Sequence, residues 1–181
     1  MLAVTMTGVK LGDRIVFVGV PDPGRIAAIA AKVGLSGHAA AVAPDERSVA
    51  RVARAAASAG VLVDTTVSDA RTLPYGDGEF DLAVIDDTGA LLEQLGDGDR
   101  VSVARQVARI VRPGGRIVVL GSGEPEGLAK LLGKAPASPL VVSGAVQALL
   151  SANGFGIVRT LGEREGLVFV EGLKPRTHVT P

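Results

Sequence analysis

Short apolar runs alternate with helical patterns along most of this chain, and that alternation restricts the fold more than any single motif does. Arg14-Ile-Val-Phe-Val18 reads as a buried first strand and Arg25-Ile-Ala-Ala-Ile-Ala-Ala-Lys32 as the helix after it. His38-Ala-Ala-Ala-Val42 is a second strand, poor in β-branched residues but correctly placed. Val61-Leu-Val63 with Thr65-Thr-Val67, Leu82-Ala-Val-Ile85 and Arg116-Ile-Val-Val-Leu120 suit parallel strands buried on both faces. Between them, Asp45 to Ala59 sets Val49, Val52, Ala56 and Ala59 on one helical face. Arg100 to Val111 repeats the pattern with Val103, Val107 and Val111 and ends at the turn Arg112-Pro113-Gly114-Gly115. Such alternation predicts βαβ units with right-handed crossovers and helices on both faces of a doubly wound, Rossmann-like sheet.

The C-terminal third breaks the pattern. Ser143 is positioned to cap a helix that ends at Asn153-Gly154. Phe155 to Leu161 and Leu167 to Glu171 then read as strands joined by Gly162-Glu-Arg-Glu-Gly166. That connection is too short for a parallel crossover, so the pair must be an antiparallel hairpin. The expected architecture is five parallel strands plus this hairpin, in one domain over residues 1–172. A polar tail, residues 173–181, is expected to be flexible.

Composition excludes several function classes. Nineteen Lys+Arg balance nineteen Asp+Glu with no basic block, and aromatics are 3%, so a nucleic-acid partner is not expected. No apolar run approaches the roughly 20 residues of a membrane span, and no signal peptide is read, which points to a cytoplasmic protein. There is no cysteine, and His38 and His178 lie far apart, so thiolate chemistry, a metal site and a Ser-His triad have no basis.

Several stretches, in order and at matching spacing, resemble the motifs of class I S-adenosylmethionine-dependent methyltransferases, especially the ubiquinone- and menaquinone-type enzymes. Lys10-Leu-Gly-Asp-Arg14 resembles the lead-in to the family's first strand. Ser68-Asp69-Ala70 with Leu73-Pro74-Tyr75, then Gly78-Glu-Phe-Asp81, resembles its third-strand motif and the start of the fourth strand. Val111-Arg-Pro-Gly-Gly115, Asn153-Gly-Phe155 and Phe169-Val-Glu-Gly-Leu-Lys-Pro175 extend the resemblance over nearly the whole chain. It implies S-adenosylmethionine as cofactor and, in an active enzyme, methyl transfer to a small or lipid-like acceptor.

The departures fall in the cofactor half, and they make the motif degenerate. Phe17 stands where the family's first strand carries an acid, and Ala43 where its second strand does. The turn Gly19-Val20-Pro21-Asp22-Pro23-Gly24 keeps one of the family's three spaced glycines. Proline has no N–H and fixes its own φ, so two potential donors are lost. Asp22 as N-cap with Pro23 at the first helical position is a favourable helix start. Its carboxylate would then stand where a ligand anion would otherwise bind.

The cofactor-binding candidates are Gly19, Asp22, Asp45, Asp69, Ala70 and Asp86. By resemblance, Asp69 and the Ala70 backbone would hold the adenine, and Asp86 would orient the methionine part or act as a general base. Asp45 could reach a ribose, and Tyr75 could flank the adenine. The competing structural readings are a turn-forming Asp69, a helix-capping Asp45, Asp87 or Thr88, and a Tyr75 that only packs. Gly121-Ser-Gly123-Glu-Pro-Glu-Gly127 imitates a dinucleotide fingerprint but is spaced one residue too long and falls on the fifth strand. Two functions remain open at this level. One is an active methyltransferase. The other is a non-catalytic domain that has lost the cofactor and serves as a binding or assembly module. An acceptor site would come from the loop Lys134-Ala-Pro-Ala-Ser-Pro139, a second copy of the chain or a protein partner.

Overall fold

A computed structural model describes residues 2–123 and 138–176. The elements in chain order are α1 (Leu2–Thr7), β1 (Arg14–Val18), α2 (Pro23–Ala30), β2 (His38–Ala43), α3 (Glu46–Ser58), β3 (Asp64–Val67) and β4 (Phe80–Asp86). After a 3-10 turn (Asp87–Gly89) come α4 (Asp97–Ile110), β5 (Val111–Ser122), α5 (Pro139–Val142), α6 (Ala145–Ala152), β6 (Ile157–Arg164) and β7 (Leu167–Leu173). They form one seven-stranded sheet in the order β3-β2-β1-β4-β5-β7-β6. The first five strands run parallel, and β7 pairs antiparallel with both β5 and β6.

Alternate residues of each central strand enter two separate cores, as the pleat requires. Val16, Val18, Ala83, Ile85, Ile117 and Val119 pack with Val103, Val107 and Ile110 of α4 and Val146 and Leu150 of α6. Ile15, Phe17, Leu82, Val84, Val118 and Leu120 face the opposite way, onto α1, α2 and α3. Both faces are therefore covered. The order reverses between β1 and β4, so the crevice of this fold lies at the carboxyl ends of those two strands.

Some boundaries differ from the sequence expectations for identifiable reasons. Ser143 does not cap the last helix: it ends the short α5, and Gly144, with φ +84, occupies the N-cap position of α6. The Pro113-Gly114-Gly115 segment is no turn before β5 but an irregularity inside it. The strand pairs with β4 at Val111, and the register shifts before Arg116. The hairpin loop contracts to Glu165 and Gly166, with φ of +53 and +72, because β6 extends to Arg164, into the expected loop. Positive φ at both central residues matches the right-handed twist of the flanking strands. The tail is held at its start: Leu173 belongs to β7, and the Lys174 ammonium donates to the carbonyls of Ala108 and Val111 at 2.6 and 2.7 Å.

Candidate functional site

The loop after β1 is built around one strained glycine. Gly19 has φ +79, and a Cβ there would lie 2.9 Å from the carbonyl oxygen of Asp86. The surviving glycine thus serves the close approach of the β1 loop to the end of β4. Pro21 continues this contact, since a Cβ on Gly89 would lie 3.0 Å from that of Pro21. Asp22 is the N-cap of α2, accepting from the Arg25 N–H at 3.1 Å, with Pro23 at the first helical position.

Arg25 was not among the sequence candidates, yet it is the central side chain of the crevice. Its Nη1 donates to Oδ2 of Asp86 at 2.5 Å and to Oγ1 of Thr88 at 3.3 Å, while Nη2 lies 3.4 Å from Oδ2 of Asp22. Asp86 is 2% exposed and Arg25 16%, so water screens this pair weakly. The other Asp86 oxygen accepts from the backbone N–H and hydroxyl of Thr88 at 3.1 and 2.6 Å. Asp86, not Asp87 or Thr88, therefore caps the turn after β4. A second guanidinium closes the loop from the opposite side: Arg51, on α3, donates to the Pro21 carbonyl at 3.0 Å.

The remaining candidates lie apart from this cluster and already have partners. Asp45 caps α3, accepting from the N–H and hydroxyl of Ser48 at 2.8 and 2.9 Å, and these bonds hold its carboxyl below the usual range. Asp69 is clasped by Arg71, which donates from Nε and Nη2 and also bridges to Asp99 at 3.0 Å. The Arg71 side chain and its N–H keep Asp69 ionised to unusually low pH. Ala70 is half-buried against the α4-side core. Tyr75 packs edge-on against Phe80, ring centroids 4.9 Å apart. Phe17 is buried among the residues under α2 and offers no polar group. Of the dinucleotide-like stretch, Gly121 is pressed against Val141 and Ser138, and Glu124 to Gly127 fall outside the described residues. The acceptor-loop candidate likewise falls outside them up to Ala137.

Beside the Asp22–Arg25 cluster lies a cleft of about 350 Å³, lined by Leu2 and Ala3, by Asp22, Gly24 and Arg25, and by Glu165 and Leu167. At the opposite, amino edge of the sheet, Leu35 and Leu62 are 102% and 86% exposed beside a hollow of about 300 Å³. Among the described residues no helix is long and apolar enough to cross a membrane.

The sequence carried two signals for the arginine cluster: Arg25 follows Asp22 by one helical turn, and Arg71 follows Asp69 by two residues. Neither shows from sequence alone which carboxylate each would take.

Comparison with known proteins gives the fold a family. A family described as "Methyltransferase domain" matches residues 22–115, just over half of the chain. The S-adenosylmethionine-dependent methyltransferase from Aquifex aeolicus superposes with a TM-score of 0.76 at 18% identity, covering 96% of this chain and 88% of that one. The N-methyltransferase NodS from Bradyrhizobium japonicum gives 0.67 at 11% identity, over 97% and 92%. The [4+2]-cyclase SpnF gives 0.70 at 19% identity, over 97% and 79%. No curated protein matches this chain in sequence. The sheet order, the crevice at the β1–β4 reversal and the matched segment converge: this chain belongs to the methyltransferase domain family, on the fold of the class I S-adenosylmethionine-dependent enzymes.

Proposed function

We propose that this chain is a methyltransferase-family domain whose crevice is closed by its own arginines, and that it works as a binding or assembly module without S-adenosylmethionine. The observation that carries this reading is the buried pair of Arg25 and Asp86. S-adenosylmethionine brings a sulfonium and an ammonium. A cation led toward Asp86 would meet a guanidinium already bonded to it at 2.5 Å, and like charges in a weakly screened crevice repel. The residues present do not fit the cofactor in other respects. Phe17 supplies no carboxylate, Asp45 and Asp69 are engaged by Ser48 and Arg71, and the Pro21–Gly89 contact narrows the gap between the two loops.

The exposed leucines at the amino edge support the assembly half of the reading, with a second copy or another protein as partner. The competing reading is active methyl transfer to a small or lipid-like acceptor, in the manner of the quinone-type enzymes. The family match and the cleft beside Asp22 and Arg25 are in its favour.

Thermal shift with S-adenosylmethionine and its demethylated product separates the two. A ligand at 100 times its Kd stabilises by about 2.7 kcal/mol. In a domain of this size each kcal/mol raises Tm by about 2–4 °C, so binding would show as roughly 5–11 °C. The proposal expects no shift at millimolar ligand, and a saturable shift would overturn it.

A further inference from the structure

The turn after β4 also holds a buried pair of carboxyls that the crevice ion pairs do not use. Asp87 is completely buried. Its Oδ1 accepts from the Leu92 N–H at 2.7 Å, while Oδ2 is buried and has no donor among the described residues. Glu93, further along the same loop, accepts from the Leu140 N–H through Oε1 at 3.4 Å, and its Oε2 is likewise buried without a donor among the described residues.

Both orphaned oxygens belong to the same short turn, and a hydrogen bond between them requires that one of the two carboxyls carry a proton. Two ionised carboxylates in a dry contact would repel and leave both oxygens unsatisfied. One shared proton satisfies both. Burial first, and then the bond to Glu93, pushes the Asp87 carboxyl up to about 8.

Among the described residues the surrounding charges do not supply an alternative counter-ion. Asp86 is adjacent and negative, and its partner Arg25 is held on the crevice side. From α4, Arg100 donates to the backbone carbonyls of Leu92 and Glu93 and pairs with Asp97. From the chain returning to the sheet, Ser138 and Leu140 present only neutral groups. The Ser138 hydroxyl donates to the Asp87 carbonyl at 3.2 Å and accepts from the Ser122 N–H at 2.9 Å. Among the described residues no group of three or more potential metal ligands forms.

We propose that Asp87 and Glu93 share one proton that fastens the segment Ser138–Val142 across the carboxyl ends of β4 and β5, and that losing it loosens this strap. Both carboxyl-bearing residues bond the strap directly, Asp87 through its carbonyl and Glu93 through its side chain. Val141 packs beneath it against Gly121. In the released state the carboxyls are hydrated and titrate in their ordinary range. Release therefore becomes about tenfold easier per pH unit from that range up to about 8, and levels off above it.

The test is a pH series of carboxyl NMR spectra on protein labelled at Asp and Glu, with Leu140 amide exchange corrected for its intrinsic pH dependence. The expected result is one carboxyl titrating in the alkaline range, with Leu140 protection falling about tenfold per unit before the plateau. In Glu93→Gln the amide is a permanent donor that favours the ionised Asp87, and both transitions move to lower pH. The proposal is overturned if every carboxyl titrates in the ordinary range, or if Leu140 protection in the natural chain is independent of pH. Persistence of the transition at its original pH in Glu93→Gln, or its displacement by millimolar magnesium or calcium, also overturns it. Should Glu93→Gln fail to fold, the titration of the natural chain decides alone.

Discussion

Replacing Arg25 with Met keeps the length and apolar stem of the side chain and removes the charge facing Asp86. The carboxylate it abandons is 2% exposed and cannot turn to bulk water without disturbing the turn it caps. Breaking a buried pair by removing one partner costs about 3–5 kcal/mol. Asp86 keeps the N–H and hydroxyl of Thr88, and Arg25 is itself partly exposed, so the lower end, about 3 kcal/mol, applies here. For a chain of this length that corresponds to a Tm lowered by about 6–12 °C. Urea unfolding should show a lower midpoint with an unchanged slope.

Adding Asp86→Asn to Arg25→Met removes the stranded charge and should recover part of the loss. The double-mutant cycle should then give a coupling of about 1–3 kcal/mol. A cost below about 0.5 kcal/mol for Arg25→Met, with coupling near zero, would mean that the pair is a surface contact of the ordinary kind and that the crevice is not held shut by it.

Three further outcomes follow from the same geometry. Gly19→Ala places a Cβ 2.9 Å from the Asp86 carbonyl at a positive φ, and should cost at least about 1–2 kcal/mol in chemical denaturation. Glu165→Asn replaces a residue held at φ +53 by one that tolerates that region, and should stabilise the hairpin by about 0.5–1 kcal/mol in the same assay. The Arg71 hydrogen bonds hold the folded-state Asp69 carboxyl below its ordinary value, so its contribution is present at neutral pH and is lost as pH falls through that depressed value. Arg71→Gln should move the Asp69 carboxyl resonance back toward the ordinary titration range.

Much of the fold was legible because it rests on periodicity. The run Ile15–Val18 is buried on both faces, as its unbroken apolar character implies, and α3 falls between its cap Asp45 and Ala59. The capped start Asp22-Pro23 was readable for the same local reason. What periodicity does not carry is the destination of long side chains. The reach of Arg25 to Asp86 depends on the approach of the β1 and β4 loops that only the assembled sheet brings together. The same holds for Ser138, whose partners Ser122 and Asp87 belong to different strand ends. Ser143 failed as a cap because Gly144 takes the left-handed conformation that separates α5 from α6. The site was thus half visible: its acids could be named, but not the arginines that neutralise them.

Calorimetric titration of the natural chain with S-adenosylmethionine, and separately with its demethylated product, tests the central claim most directly. With Arg25 seated on Asp86, the account predicts no saturable heat up to millimolar ligand. One-to-one binding with a micromolar Kd would contradict it, because such an affinity, about −8 kcal/mol, requires the crevice to be open to the cofactor.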